Sequence, residues 1–277
     1  MSHPFFRPTH RAVPAPTWIN FRGTSQRVGT SAGGRVTVFV DPALGQHGLQ
    51  NARDLLNDAD RVMTANDKLF GVAGGSVNII VFALNGVTDG TGGADHGGCD
   101  FETGNNIEVC ASFGNSGRVS ALFEAELSEC SMGGDLCGVS TGEALSRWCA
   151  AAISNNALAD FASGPTWAQE GMPDFVNHTF MGTREVPGDQ DPVSTGCGMV
   201  FLSWLQGPAD ATGLMHFRLS RIAPAMVDLG TGGTLAQLYA NLTNDDPANA
   251  FPKFIAAVNN LPNGVTNDDP FGGFLPV

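Results

Sequence analysis

The sequence is short of positive charge. Its 277 residues carry 14 lysines and arginines against 27 aspartates and glutamates, a net charge of −13. Lysine occurs at two positions, Lys68 and Lys253, so no polybasic patch can form. Phosphates and anionic lipids repel such a chain, which argues against nucleic acid and an acidic membrane surface as partners. Long apolar runs are missing as well. The strongest, Val77–Leu84 and Met199–Leu205, fall far short of the roughly 20 residues that a bilayer-spanning helix needs. The six cysteines, Cys99, Cys110, Cys130, Cys137, Cys149 and Cys197, include no C-x-x-C pair, which argues against zinc ribbons and thioredoxin-type redox chemistry. Met1–Pro16 holds four prolines, two arginines and no apolar stretch, unlike a secretory leader. The default expectation is therefore a cytoplasmic protein, or an extracellular one if the chain is a processed form.

The length allows one large domain or two small ones, with a sizeable core. Residues 1–34, rich in Pro, Gly, Arg and Thr, read as an irregular arm. Arg35–Val40 alternates β-branched and other residues and predicts a strand. Gly48–Leu69 has helical spacing, with Leu49, Ala52, Leu55, Leu56, Ala59, Val62 and Met63 on one face. Ser76–Leu84 and Asn106–Ser112 predict two further strands, separated by a Gly/Asp/Thr loop. Helices are expected at Val119–Cys130, Glu143–Ser154, Trp167–Thr179, Cys197–Leu205, Leu235–Leu242 and Ala248–Leu261. Residues 263–277 read as an irregular tail. Strands first and helices after predict a single α+β domain over 35–262, with a small mixed sheet (35–115) packed on a larger helical lobe (116–262).

The helical half concentrates carboxylates. On an ideal wheel centred on Leu122, Glu126 falls at about 40°, within the apolar arc of the Val119–Cys130 helix. Glu129 falls at about 340°, on its margin, and Glu124 at about 200°, on the polar side. Two inward acids need partners or perturbed pKa values, and such groups in a cleft are functional candidates. Ser140-x-x-Glu143 fits a capping box, which gives Glu143 a structural task; the alternative is that it faces Glu126 across a cleft. Thr166-x-x-Gln169 can cap the next helix, leaving Glu170 free. Glu170, Asp174 and His178 then form one stripe at i, i+4 and i+8, provided that Pro173 does not break the helix.

Other patterns carry less. Gly138–Gly142 matches G-x-S-x-G but lacks the buried strand that a nucleophile elbow needs. Cys197, before an apolar helix, is either a thiol activated by a helix N-terminus or a core residue. The Asp89–Asp100 loop offers carboxylates to Ca²⁺, though Thr91, Gly93 and Ala94 break the EF-hand pattern. Within that loop, Asp95 and His96 are candidates to line a substrate cleft together with Asp174 and His178. Cys99 and Cys110 bracket a turn-rich stretch and are the expected disulfide if the chain works outside a reducing compartment.

The order of a small sheet, a helix reading AELSE, a helix reading GEALSR and a segment WAQEGMPDFV resembles the plan of the zincin metallopeptidases, particularly the gluzincins. That resemblance implies a general-base role for Glu126, with Ala125 and Glu129 at the positions where the family's HExxH motif has zinc-binding histidines. It implies a third ligand at Glu143 or Glu170, Glu170 being preferred because Glu143 has a capping role. STGCGMVFLSWL and TLAQLYANLT also resemble stretches of bacterial proteins. With no histidine at either motif position, zinc is not expected there, and His96 and His178 would have to fold in to supply nitrogen. The expectation is a degenerate hydrolase acting on peptides, with Glu126, Glu129, Glu170 and Glu143 at its site. The alternatives are a non-enzymatic binding or structural protein (a pseudoenzyme) on the same fold, and a glycosidase with paired acids taking a carbohydrate ligand.

Overall fold

A computed structural model describes residues 16–83, 93–133, 136–154, 162–180, 191–207 and 216–273. Five strands form one mixed sheet in the order β1-β2-β3-β5-β4, with β1 Gln26–Thr30, β2 Val36–Val40, β3 Val77–Phe82, β4 Ala94–His96 and β5 Asn106–Cys110. The centre is parallel: β2 pairs with β3, and β3 with β5. Both edges, β1 and β4, run antiparallel to their neighbours. The helices are α1 Gly45–Phe70, α2 Ser116–Ser131, α3 Ser140–Ser154, α4 Ser163–Gln169, α5 Pro192–Gln206, α6 Leu219–Leu229, α7 Leu235–Thr243 and α8 Ala250–Asn259. The protein is thus α+β, a small mixed sheet against a larger helical lobe.

The apolar alternation of the central strands explains the sheet's two faces. Val38, Val40, Ile79, Val81, Ile107 and Val109 join α1 and α2 in one core. Phe39, Ile80 and Phe82 point the other way and are covered by Trp18 and Phe21. Helices α3 to α8 enclose a second core around Trp148, Trp167, Phe201, Trp204 and Phe254.

Several boundaries differ from the sequence expectation. The stretch read as an irregular arm contains β1 and the segment that covers the sheet. Glu108, fully buried on β5, holds that segment by accepting hydrogen bonds from the backbone N–H groups of Asn20 and Phe21. The Gly/Asp/Thr loop contains β4. Helix α6 lies outside the expected helices and carries Pro224 in its interior; an interior proline costs about 3 kcal/mol or more. Burial of Leu219, Ile222, Ala223 and Met226 outweighs that signal. The tail docks back on the lobe, with Asp269 accepting from the Ser203 hydroxyl at 2.6 Å.

The helix expected over Trp167–Thr179 ends at Gln169 instead. Gly171 and Met172 adopt left-handed φ values of 84° and 56°, and the Trp167 indole N–H donates to the Pro173 carbonyl at 2.9 Å, closing the chain into a turn. Nor does Thr166 cap this helix, since it lies within α4.

Candidate functional site

Helix α2 supplies the centre of the site. Asn115 starts it by accepting a hydrogen bond from the Arg118 amide, and α1, α3, β4 and β5 surround it. Packing on so many sides changes the expected environments of its acids. Glu129 is buried and Glu126 half-buried, with side-chain exposures of 9% and 14%. Glu124, expected on the polar side, is fully buried.

His96 meets the two acids from the sheet. In the β4–β5 register, His96 lies opposite Ile107 and Asp95 opposite Glu108. Directly opposed residues of an antiparallel pair share a face. His96 therefore joins the helix-facing side with Ile107, while Asp95 points to the arm side and accepts from the Asn20 side-chain amide at 2.7 Å. The His96 Nε2 lies 3.1 Å from Glu129 Oε2 and 3.6 Å from Glu126 Oε2. Burial pulls the His96 pKa down, but the hydrogen bond and charge of Glu129 outweigh it, and the net direction is up. Burial pushes the Glu129 carboxyl up, opposed by its hydrogen bond to His96 and reinforced by the charge of Glu143.

Glu143 and Arg147 flank this pair from α3. Arg147 Nε donates to Glu143 Oε1 at 2.7 Å, and its Nη1 donates to the Ser163 hydroxyl at 2.6 Å. Ser140 is the first residue of the helix, the Val139 carbonyl accepts from the Glu143 amide, and the Glu143 carboxylate turns to Arg147. Spacing of i, i+4 on one helix is the sequence signal for that pair. Asp268, brought in by the tail, accepts from the Gly164 amide; burial raises its carboxyl pKa against the pull of that bond and of Arg147.

The other expected site residues lie elsewhere. Glu170 is exposed at the end of α4, and among the described residues no hydrogen bond or ion pair of its carboxylate links it to the cluster. The preference for Glu170 over Glu143 as partner of the α2 acids is therefore corrected: Glu143 is the acid whose charge reaches Glu129. Asp174 closes a turn by accepting from the Asn177 backbone and side-chain amides. His178 is exposed and sets its ring against Phe175. The stripe of Glu170, Asp174 and His178 is broken because no helix continues through Pro173.

The disulfide expectation is also corrected. Cys99 bonds to Cys137, with Cα atoms 5.6 Å apart. Cys110 cannot reach Cys99, because the hairpin places it opposite Gly93, whose carbonyl accepts its amide, at the far end of β4. Cys110 is instead a buried core thiol. The bridge ties the turn after β4 to the connection between α2 and α3, and Cys137 Sγ lies 4.0 Å from His96 Nε2. Sequence reasoning missed Cys137 because pairing depends on proximity across the fold.

Two alternative readings lose their basis. Cys197 is fully buried within α5, away from the helix start, and burial pushes its thiol up to about 12, the opposite of an activated nucleophile. The G-x-S-x-G match has a backbone explanation: Gly138 adopts φ 74°, and the Leu136 carbonyl oxygen occupies the space a side chain at Gly142 would need. As for calcium, Asp89 lies outside the described residues, Asp95 is held by Asn20, and Asp100 accepts from the Glu102 and Thr103 amides to close its own turn.

No protein-family model matches the sequence, and no curated protein does. Among solved structures, the chain is similar to an M1 zinc metallopeptidase from Deinococcus radiodurans, at 12% identity and a TM-score of 0.41, covering 84% of this chain and 51% of that one. A mutant of that enzyme gives 9% identity and a TM-score of 0.45, covering 84% of this chain and 52% of the other. Yeast LTA4 hydrolase in complex with bestatin gives 11% and 0.37, over 87% and 38%. The chain spans about half or less of the length of these structures.

Proposed function

We propose that the cluster of His96, Glu126 and Glu129 between β4 and α2 is a hydrolytic site on a zincin-like fold, with peptides as the substrate class. The AELSE and GEALSR segments support the zincin-like assignment, because they fall on consecutive helices, α2 and α3, beside an antiparallel edge strand. The observation that carries the chemistry is the His96 imidazole held between Glu126 and Glu129. Glu126, the more exposed acid, takes a proton from the attacking water. His96, whose pKa the hydrogen bond and charge of Glu129 raise, gives a proton to the leaving amine. Arg147 keeps Glu143 from adding an uncompensated negative charge to the pair.

The residues do not fit the zinc that the family resemblance implies. Ala125 has no donor atom, and the Cys137 sulfur is bonded to Cys99. One imidazole and neighbouring carboxylates remain, whereas catalytic zinc takes three protein ligands, usually rich in imidazole. No step is therefore assigned to a metal. The missing donor at Ala125 equally favours a non-enzymatic binding protein on this fold, whereas no separate observation favours a glycosidase.

The test is Glu126→Gln against a mixture of peptides, followed by mass spectrometry. The hydrolytic reading expects cleavage to fall by about 10²–10⁴-fold, the usual worth of a positioned general base, with thermal stability equal or higher. Wild-type protein that cleaves nothing in the mixture, or Glu126→Gln that cleaves as well as wild type, transfers the site to the binding-protein reading.

A further inference from the structure

We propose that the Cys99–Cys137 disulfide gates a metal site: its reduction frees Cys137 to complete a zinc-binding set with His96 and Glu129. This inference stands whether or not the cluster hydrolyses peptides. The His96 imidazole nitrogen, the Glu129 carboxylate oxygen and the Cys137 sulfur all lie within 4.8 Å of one another. Ligand atoms around a tetrahedral zinc, with bonds of about 2.0–2.3 Å, are spaced by about 3.3–3.8 Å. The observed spacings of 3.1 Å from His96 to Glu129 and 4.0 Å from His96 to Cys137 bracket that range, so small side-chain movements suffice. Imidazole, carboxylate and thiolate are each accepted zinc donors, and together they leave a fourth position open.

The oxidised form cannot make this site, because a sulfur shared in a disulfide carries no thiolate charge. The bridge is also the accessible part of the cysteine inventory. Cys99 and Cys137 are both half-buried, whereas Cys110, Cys130, Cys149 and Cys197 are buried. A dithiol reductant supplies the two electrons and two protons. Its own thiols close into a disulfide, the Cys99–Cys137 S–S bond breaks and two protein thiols form. On metal binding the Cys137 thiol and any His96 imidazolium release their protons to solvent, and thiolate, neutral imidazole and the Glu129 carboxylate bind Zn²⁺. The ligands come from rigid neighbours, β4 and α2, with Cys137 carried on the turn before α3. Opening the bridge therefore releases the third donor while the first two stay in place.

The experiment measures zinc affinity and stoichiometry on the whole protein, oxidised and reduced. A phosphine serves as reductant, since it becomes its oxide with water as oxygen source and leaves no competing thiol. Cobalt substitution reports thiolate ligation by its charge-transfer absorption. The proposal expects one zinc per reduced chain, and affinity for the oxidised chain lower by more than about 100-fold, since an outer-shell change alone costs about 10–100-fold. Cys99→Ser, which leaves Cys137 a permanent thiol, is expected to bind zinc without reductant and to show the cobalt–thiolate band. Cys137→Ser and His96→Gln are each expected to lose binding after reduction, with circular dichroism confirming that they fold. Equal zinc affinity of the oxidised and reduced forms overturns the proposal. So does a folded Cys99→Ser protein that binds no zinc, or a Cys137→Ser protein that binds as well as the reduced parent.

Discussion

Glu124 and Glu129 lie on the same helix, are buried to a similar degree and have opposite surroundings. Glu129 faces β4, where the His96 Nε2 lies 3.1 Å from its Oε2. Glu124 faces the interior between α1 and α3, and both its carboxyl oxygens lack a hydrogen-bond partner among the described residues. Burial pushes its pKa well above the ordinary glutamate value, with the charge of Arg61 opposing and that of Asp67 reinforcing. The difference teaches that burial alone makes an acid neutral and costly, whereas burial with a titratable partner gives it a proton to exchange.

The comparison breaks most sharply at the paired side. His96→Ala leaves Glu129 buried without its counter-charge and is expected to lower stability by about 3 kcal/mol, toward the lower end of what removing one partner of a buried pair costs. His96→Leu combined with Glu129→Leu is expected to recover most of that loss, because both polar groups are then gone. Denaturant titrations of the single and double variants measure the coupling; purely additive effects would show that the contact is energetically idle.

At the unpaired side the sign reverses. Glu124→Leu is expected to raise stability at neutral pH by about 1–3 kcal/mol, the range for relieving a buried polar group that has no partner. Its pH dependence sharpens the point. Below the ordinary glutamate pKa the acid is protonated in both folded and unfolded chains. Above it the unfolded chain gives up the proton while the folded chain keeps it, so the folded state binds more protons and wild-type stability falls as pH rises. A Glu124→Gln protein lacks this slope, and its melting temperature is expected to draw ahead of wild type from mildly acidic pH upward. A constant gap across that range would mean that Glu124 ionises normally in the fold.

The smallest effect belongs to the flank. Glu143 and Arg147 form an i, i+4 pair that is partly open to solvent. Glu143→Gln is expected to cost about 0.3–0.5 kcal/mol, and less in high salt. A loss of several kcal/mol in thermal unfolding would place Glu143 inside the buried pair's network rather than beside it.

Much of this arrangement was legible in the residues, and the failures have identifiable causes. The three central strands and α1 follow from β-branched runs and a clear apolar stripe, which neighbours do not need to decide. The inward positions of Glu126 and Glu129 follow from the apolar arc of α2. Glu124 was misplaced because a helical wheel assumes one buried face, and α2 has neighbours on most sides. Glu170, Asp174 and His178 appeared as a stripe because spacing cannot show that Gly171 and Met172 turn the chain.

Local periodicity and motif order thus determined the class of the fold and the helix that carries the acids, because each depends on residues near one another in sequence. Tertiary structure decided which acid has a partner. A one-residue slip of β4 against β5 would send His96 to the arm side and bring Asp95 to α2. The partner of Cys99 was decided in the same way, by the approach of the α2–α3 connection to the turn after β4. Contacts between segments far apart in the chain are set by packing of the whole molecule, and no spacing rule along the sequence encodes them.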